Sequence, residues 1–589
     1  MSDANVNNEL TWKIGGEAGF GIMVSGLNFA RMCMRGGLQV FESNEYPSLI
    51  RGGHNTETVR VASRKIHALS TNVDFLVALN KKTIDLHKTE LSGGAAVMYD
   101  PNDYQVGPAD FPRPVSLYPV PLLQLARDHG GDVLMRNTVA IGASVAVMDF
   151  DLQLFNSVLT DQFKRKGDAV VAQNIATAQV GYDFIKKNFP NPFRLSLKKI
   201  LNPTRSVLLS GNESIALGAI AAGMKFFAAY PMTPINGLLH YLASVQEKAS
   251  FIYKQPEDEI AAINMALGAS FAGVRSMVAS SGGGFALMVE GTSLAGMTEN
   301  PIVIVYGMRP GPATGLPTWT SQSDLKFVLH AGHGEFVRLV LAPSNVEEAF
   351  SMTMQAFNLA DRYQTPVFIL TDKLVNESRE TIDPATLLAL SRSIPIDRGK
   401  LLSLEEQLKQ EEWDRYALSE DGISPRPIPG RKKGTFRVNS DEHLPSGYSS
   451  EEAVVARQMV EKRMKKLQGA TKEVGAPTLY GETNADVTHV GWGSTKGSVL
   501  EALDMLNSQG YDKSINYLHI GWINPFPKED VARILSSAKK VIDIEGAHNA
   551  PMADYIREST GIEIKNKIVK YDGRPFYPED IIEGVKTYG

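Results

Sequence analysis

The middle third of the chain holds the side chains best suited to chemistry. In AAYPMTPING, Tyr230 and Pro231 lead into Thr233, which stands between two X-Pro constraints directly after an apolar run. Proline fixes φ, so such a loop holds a hydroxyl in one direction; the same pattern also makes a merely rigid turn. Next, QPEDEIAAINMALGASFAG sets Glu259 at the start of a helix rich in Ala and Gly, which lets another backbone or subunit pack closely. A carboxylate there is either a chemical group or, more commonly, a first-turn acid complementing the helix dipole. SSGGGFALMVEG places Gly283 and Phe285 in a glycine turn between strand and helix, and RPGPATGLPTWTSQSDL carries Arg309 into a long, proline-stiffened loop. Long ordered loops are where ligands are usually held. An arginine in one offers a planar, always-charged fork that matches a carboxylate, or else ties down its own loop through carbonyls.

Two further segments lie near the start. GGEAGFG, at 15–21, puts Gly16 and Gly19 where backbone amides approach a phosphate at a helix N-terminus. The spacing is not G-x-G-x-x-G and Glu17 would repel a pyrophosphate, so a structural turn and a nucleotide site are about equally supported. NEYPSLIRGGHN adds Arg51 and Gly52 in a glycine-bounded loop, which suits an anionic group or an interface equally.

Elements that would position these residues follow from the apolar runs. Residues 10–14 read as a strand, the glycines as a turn and 22–34 as a helix, with further strands at DFLVAL and AAVMYD. From 206 to 381, apolar runs each end in small or turn residues and are followed by helical patterns, as a doubly wound parallel sheet requires. Functional loops should cluster at the strands' C-terminal ends. Residues 393–470 turn polar and read as a surface-hugging connector; DVTHVGWGS opens a further α/β unit. The expected fold class is multi-domain α/β with doubly wound sheets, divided as 1–192, 204–392, 393–474 and 475–589.

Composition narrows the partners. A net charge of -5 supplies no broad basic field, which argues against nucleic acid. Cys33 is the only cysteine, so the chain alone can hold neither a disulfide nor a cysteine-ligated cluster. The start lacks the layout of a signal peptide and no run of about 18 apolar residues offers a membrane span, so the expected location is cytoplasmic.

Taken together, the Tyr230–Pro234 segment, Glu259 with its helix, SGGGF at 281–285, GMTENP at 296–301 and the Arg309 loop closely resemble the alpha subunit of 2-oxoacid:ferredoxin oxidoreductases. The first 190 residues look like that family's gamma domain fused ahead of alpha. The last 110 look like its transketolase-C-terminal-like domain, through VGWGSTKG, NPFP and VIDIEGAHN. The resemblance implies a thiamine diphosphate pyrimidine-binding domain, with the diphosphate site, Mg2+ and a [4Fe-4S] cluster on a separate beta subunit. It implies that Glu259 activates the cofactor, that Arg309 and Thr233 bind substrate, and that Tyr230, Pro231, Gly283 and Phe285 touch the cofactor. Coenzyme A is assigned to Gly16, Gly19, Arg51 and Gly52. The implied reaction converts a 2-oxoacid and coenzyme A to acyl-CoA and CO2 with reduction of ferredoxin, or the reverse, in an assembly of two alpha–beta pairs. The fused layout and the RPGPATGLPT loop favour 2-oxoglutarate; pyruvate or a branched-chain 2-oxoacid, or a non-catalytic scaffold role, are the alternatives. Met232, Ile235 and Asn236 depart from the family's usual residues.

Overall fold

The structure, a computed structural model, describes residues 8–49, 52–129 and 131–588. The chain folds as two compact units, one built on residues 1–209 with 378–384 and 577–583, the other on the remainder.

The first unit carries an eight-stranded mixed sheet. Val115–Pro119, Leu91–Tyr99, Val73–Ala78 and Leu10–Glu17 run parallel to their neighbours, while His54–Ala62 and Gln39–Glu45 join antiparallel. The last two form a hairpin, and their facing ends fall within NEYPSLIRGGHN. The first strand is longer than its apolar residues indicate. It continues through Gly15 and Gly16 to Glu17, because those glycines pair with Thr56 and Asn55 across the sheet. The turn is thereby shortened to 18–21, ahead of the helix Ile22–Arg35.

The second unit carries two sheets. In the larger one, Ile302–Met308 is buried along its whole length between Ser276–Ser280 and Pro366–Asp372. A continuous apolar run is what a central parallel strand covered on both faces requires. Five-stranded pairing around Val487–Trp492 makes the other sheet, with only Thr478–Tyr480 antiparallel. A short strand from the C-terminal region, Trp522–Asn524, adds antiparallel to the edge of the larger sheet. The stretch from 393 to 474 is ordered by more than surface contact, since Arg415, Arg426, Lys462 and Lys466 on it are all buried. No helix among the described residues is long and apolar enough to cross a membrane.

Candidate functional site

The larger sheet of the second unit reverses its order beside Phe226–Ala228. From that strand the chain moves outward to Ile252–Lys254, then crosses back to Ser276–Ser280 on the other side. Loops leaving the C-terminal ends of strands at such a switch point diverge and open a crevice. Loop 229–235, the glycine turn after Ser280, Arg309 and the start of the helix Glu259–Phe271 all converge there.

Asp258 is the N-cap of that helix and accepts from the Ala261 amide at 2.8 Å. Cap chemistry is therefore supplied by Asp258. Glu259 is buried, 4% exposed, and its Oε1 has no hydrogen-bond partner among the described residues. A Cβ on Gly284 would stand 2.3 Å from that oxygen and 2.2 Å from Ser280 Oγ, so only glycine lets the turn approach so closely. Ser281 is likewise fully buried with its Oγ unpartnered among the described residues, and Met232 Sδ lies 3.9 Å from Ser280 Oγ. Sequence reasoning did not single out Ser280, Ser281 or Gly284 as site residues; the strand-to-turn junction was the one available signal. Gly283 is open on its Cβ side, and Tyr230 and Pro231 are exposed. Phe285 is wholly enclosed, edge-on to Tyr306, Phe327 and Phe368 at 5.2, 5.5 and 5.4 Å, so its ring holds the glycine turn from the core.

Arg309 Nη1 donates to the Thr233 carbonyl at 2.9 Å, which ties two of the converging loops together. Burial lowers the Arg309 guanidinium from its ordinary value. Nearby, Tyr306 donates to Asp324 Oδ2 at 2.8 Å, and burial pushes the Asp324 carboxyl up. Thr233 Oγ1 accepts from Asn236 Nδ2 at 3.4 Å. The loop itself is fixed by buried amides, with Asn212 donating to the Pro234 carbonyl and Asn376 to Asn212 Oδ1, each at 2.9 Å. Gln322 clasps the long loop after Arg309 to the C-terminal sheet, donating to the Trp492 carbonyl and accepting from the Gly546 amide, both at 2.8 Å.

In the first unit, the Ala18 amide donates to the Gly53 carbonyl at 3.3 Å, so the two glycine segments lie side by side. Gly19 and Gly52 both adopt positive φ, 94° and 75°, and are open on their Cβ sides, whereas Gly16 is buried in the strand. Arg51 lies outside the described residues. Beside them is a chain of polar groups: His54 Nε2 to His87 Nε2 at 2.9 Å, His87 Nδ1 to Glu90 Oε1 at 2.7 Å, and Lys13 Nζ to Glu90 Oε2 at 2.5 Å. Burial and the neighbouring His87, Lys82 and Lys13 bring His54 down to about 4, so it is neutral at ordinary pH.

Comparison with known proteins accords with this arrangement. The family described as pyruvate flavodoxin/ferredoxin oxidoreductase, thiamine diP-bdg, matches residues 217–462 and so encloses the crevice; pyruvate ferredoxin/flavodoxin oxidoreductase matches 11–184, and the core domain II of pyruvate:ferredoxin oxidoreductase matches 485–581. A 2-oxoacid:ferredoxin oxidoreductase subunit alpha from Sulfolobus sp is 32% identical over 98% of this chain and 96% of that protein. The chain belongs to the alpha subunits of the 2-oxoacid:ferredoxin oxidoreductases. Among other members, the 2-oxoglutarate synthase subunit KorA of Methanothermobacter thermautotrophicus is 32% identical across 64% of this chain and 98% of its own. The solved 2-oxoglutarate:ferredoxin oxidoreductase from Magnetococcus marinus, with 2-oxoglutarate, coenzyme A and succinyl-CoA bound, superposes with a TM-score of 0.90 at 32% identity, covering 98% of this chain and 99% of that one. For this alpha subunit, the family's thiamine diphosphate-binding region runs on into the connector as far as Lys462.

Proposed function

We propose that this alpha subunit takes part in oxidative decarboxylation of 2-oxoglutarate, with coenzyme A and oxidised ferredoxin giving succinyl-CoA, CO2 and reduced ferredoxin, or in the reverse carboxylation. The observation that carries the reading is the buried, unpartnered Oε1 of Glu259 at the switch point, closed over by Gly284. A carboxylate in that state fits a protonated ring nitrogen brought by a ligand, which is what the aminopyrimidine of thiamine diphosphate offers. When bound, that cofactor supplies the nucleophilic carbon and the electron sink for decarboxylation. Glu259 holds the proton at the aminopyrimidine ring nitrogen. Tyr230, Pro231 and the open backbone at Gly283 line its approach, and the enclosed ring of Phe285 keeps the turn in place. Arg309 and Thr233 orient the carboxylate and keto oxygen of the 2-oxoacid, the guanidinium acting from a position already fixed by the Thr233 carbonyl.

The diphosphate end, with Mg2+ and a [4Fe-4S] cluster, is assigned to a beta subunit. Exposed apolar side chains on the two helices that flank the carboxylate support a partner there: Ile260 is 48%, Met265 44% and Leu287 50% exposed. Two alpha–beta pairs related by a two-fold make the assembly, with ferredoxin as electron acceptor and the cytoplasm as location. Coenzyme A is assigned to the paired glycine segments of the first unit, at Gly16, Gly19, Arg51 and Gly52. The test is dye reduction by the complex of this chain with its beta subunit, supplied in turn with 2-oxoglutarate, pyruvate and a branched-chain 2-oxoacid. Turnover should require coenzyme A and be greatest with 2-oxoglutarate; a preference for another acid reassigns the substrate, and cofactor binding without turnover on any of them leaves a scaffold role.

A further inference from the structure

The long loop that leaves the sheet at Arg309 turns back on itself at once, with the Leu316 amide donating to the Pro310 carbonyl at 3.0 Å. It then settles on the neighbouring strand. Met308 and Asp372 end adjacent parallel strands in register, and just beyond the second of these ends the Leu374 amide donates to Thr320 Oγ1 at 3.5 Å. Trp319 therefore stands over the strand end beside the one from which Arg309 departs.

The segment YDGR, at 571–574, closes on this loop from the C-terminal part of the chain. The Gly573 carbonyl accepts from the Thr320 amide at 3.0 Å, and Gly573 itself adopts φ 84°. A Cβ there would stand 3.1 Å from Trp319 Cβ and 3.2 Å from Leu316 Cδ1, so the close approach and the backbone both call for glycine. Arg574 then lays its guanidinium carbon 3.7 Å from the centre of the Trp319 ring. Its Nη1 donates to the Asp572 carbonyl at 3.1 Å, and no ion pair holds it among the described residues, although it is exposed. A guanidinium flat on an aromatic face keeps its in-plane donors free at the edge. Lys326, further along the same loop, is different: Asp554 and Glu558 already pair with it, at 3.4 and 2.8 Å.

We propose that Arg574 determines substrate specificity, by pairing with the distal carboxylate of a 2-oxo dicarboxylate whose 2-oxoacid end is held by Arg309 and Thr233. This rests on the assignment of 2-oxoglutarate as substrate. Two arginines, one leaving a strand end and one stacked above its neighbour, give each carboxylate of the substrate its own planar fork. A monocarboxylate gains nothing from the second. Trp319 and the Gly573 turn are the platform that fixes where that second fork stands.

The experiment measures kcat and KM of the complex with its beta subunit for 2-oxoglutarate and for 2-oxopentanoate, which has the same five carbons and no distal carboxylate. Arg574→Gln should lower kcat/KM for 2-oxoglutarate by about ten- to a hundred-fold, the scale of a lost charge-assisted pair. The loss should fall on KM with kcat little changed, because the interaction is made equally before and during reaction. For 2-oxopentanoate, kcat/KM should stay level or rise. Trp319→Leu, which removes the platform and keeps the charge, should weaken 2-oxoglutarate selectively in the same sense. Equal loss on both acids, or a fall in kcat alone, would make Arg574 a clasp of the loop and overturn the proposal; so would an unchanged preference. A wild-type complex that turns over 2-oxopentanoate as well as 2-oxoglutarate would overturn the substrate assignment before any variant is compared, and this proposal with it. Should Arg574→Gln not fold, Arg574→Lys, which keeps the charge and loses the fork, carries the test with the same selective rise in KM expected.

Discussion

Leaving a buried acceptor without a donor costs on the order of 1–3 kcal/mol, and more for a charged group. Glu259 Oε1 is in that position, and the cap role that would account for an acid at a helix start is already filled by Asp258. What remains is a carboxylate waiting for a donor that the chain does not contain among its described residues. Glu259→Gln keeps the shape and removes the charge, so turnover of the complex should fall by about a hundred-fold or more, the scale of acid–base groups. Proton exchange at the cofactor's C2 is the sharper measurement, because it reports activation without substrate. Normal exchange in Glu259→Gln, with exchange lost in the exposed Glu257→Gln instead, would remove Glu259 from the role. Gly284→Ala gives an independent handle on the same atom. The added methyl would stand 2.3 Å from Oε1 and must displace the carboxylate, so exchange should drop although no charge is changed. Were Gly284→Ala to exchange normally, the close approach of turn and carboxylate would have no catalytic meaning.

At the scale of elements, the parallel strands were legible because a strand covered on both faces must be apolar along its length, as PIVIVYG and TPVFILTD are. The hairpin Gln39–Glu45 with His54–Ala62 was not, since QVFESNE and HNTETVRVA alternate too weakly to separate from loop. In the site, Glu259 and Arg309 were readable as residue types, but Gly284, Ser281 and the Asn212–Asn376 pair acquire meaning only from what folding brings beside them. The connector shows the same limit more sharply. Residues 393–470 read as a surface-hugging connector, yet Lys462 Nζ meets both oxygens of Glu299, at 2.6 and 2.8 Å, from 163 residues away. Lys466 meets Glu299 Oε2 at 2.6 Å, and burial brings that lysine down to about 7. Arg415 donates to the Glu299 carbonyl at 2.7 Å. One buried acid thus anchors a helix and a loop of the connector to the sheet domain. Removing its charge leaves buried lysines with no counter-ion, so Glu299→Gln should cost about 3–5 kcal/mol in chemical denaturation, whereas Glu473→Gln, at a half-exposed pair with Arg362, should cost under about 1 kcal/mol. Equal effects of the two substitutions would mean that the buried network does not hold the connector.

At the scale of the whole molecule, the division of work proposed between this chain and a beta subunit is made testable by one residue count. Cys33 is its only cysteine, it lies fully buried in the first unit's core, and burial pushes its thiol far up, so it is unsuited to metal or redox chemistry. Among the described residues no group of three or more His, Cys, Asp or Glu is placed to hold a metal ion. Among the described residues, the Glu259 crevice therefore has an acid for one end of a cofactor and no cluster of acids for a metal at the other. Exposed Ile260, Met265 and Leu287 beside that crevice are the surface that the proposed beta subunit would cover. The purified chain alone should show no visible cluster absorbance and no 2-oxoacid-dependent dye reduction, even when thiamine diphosphate, Mg2+ and coenzyme A are supplied. Adding the beta subunit should restore both together, and replacing Leu287 with Glu should weaken that restoration by placing a charge in the covered face while leaving the chain's own Tm near that of wild type. A coloured, active preparation of this chain by itself would show that the division is wrong, and full activity of Leu287→Glu with the beta subunit would move the interface to another face.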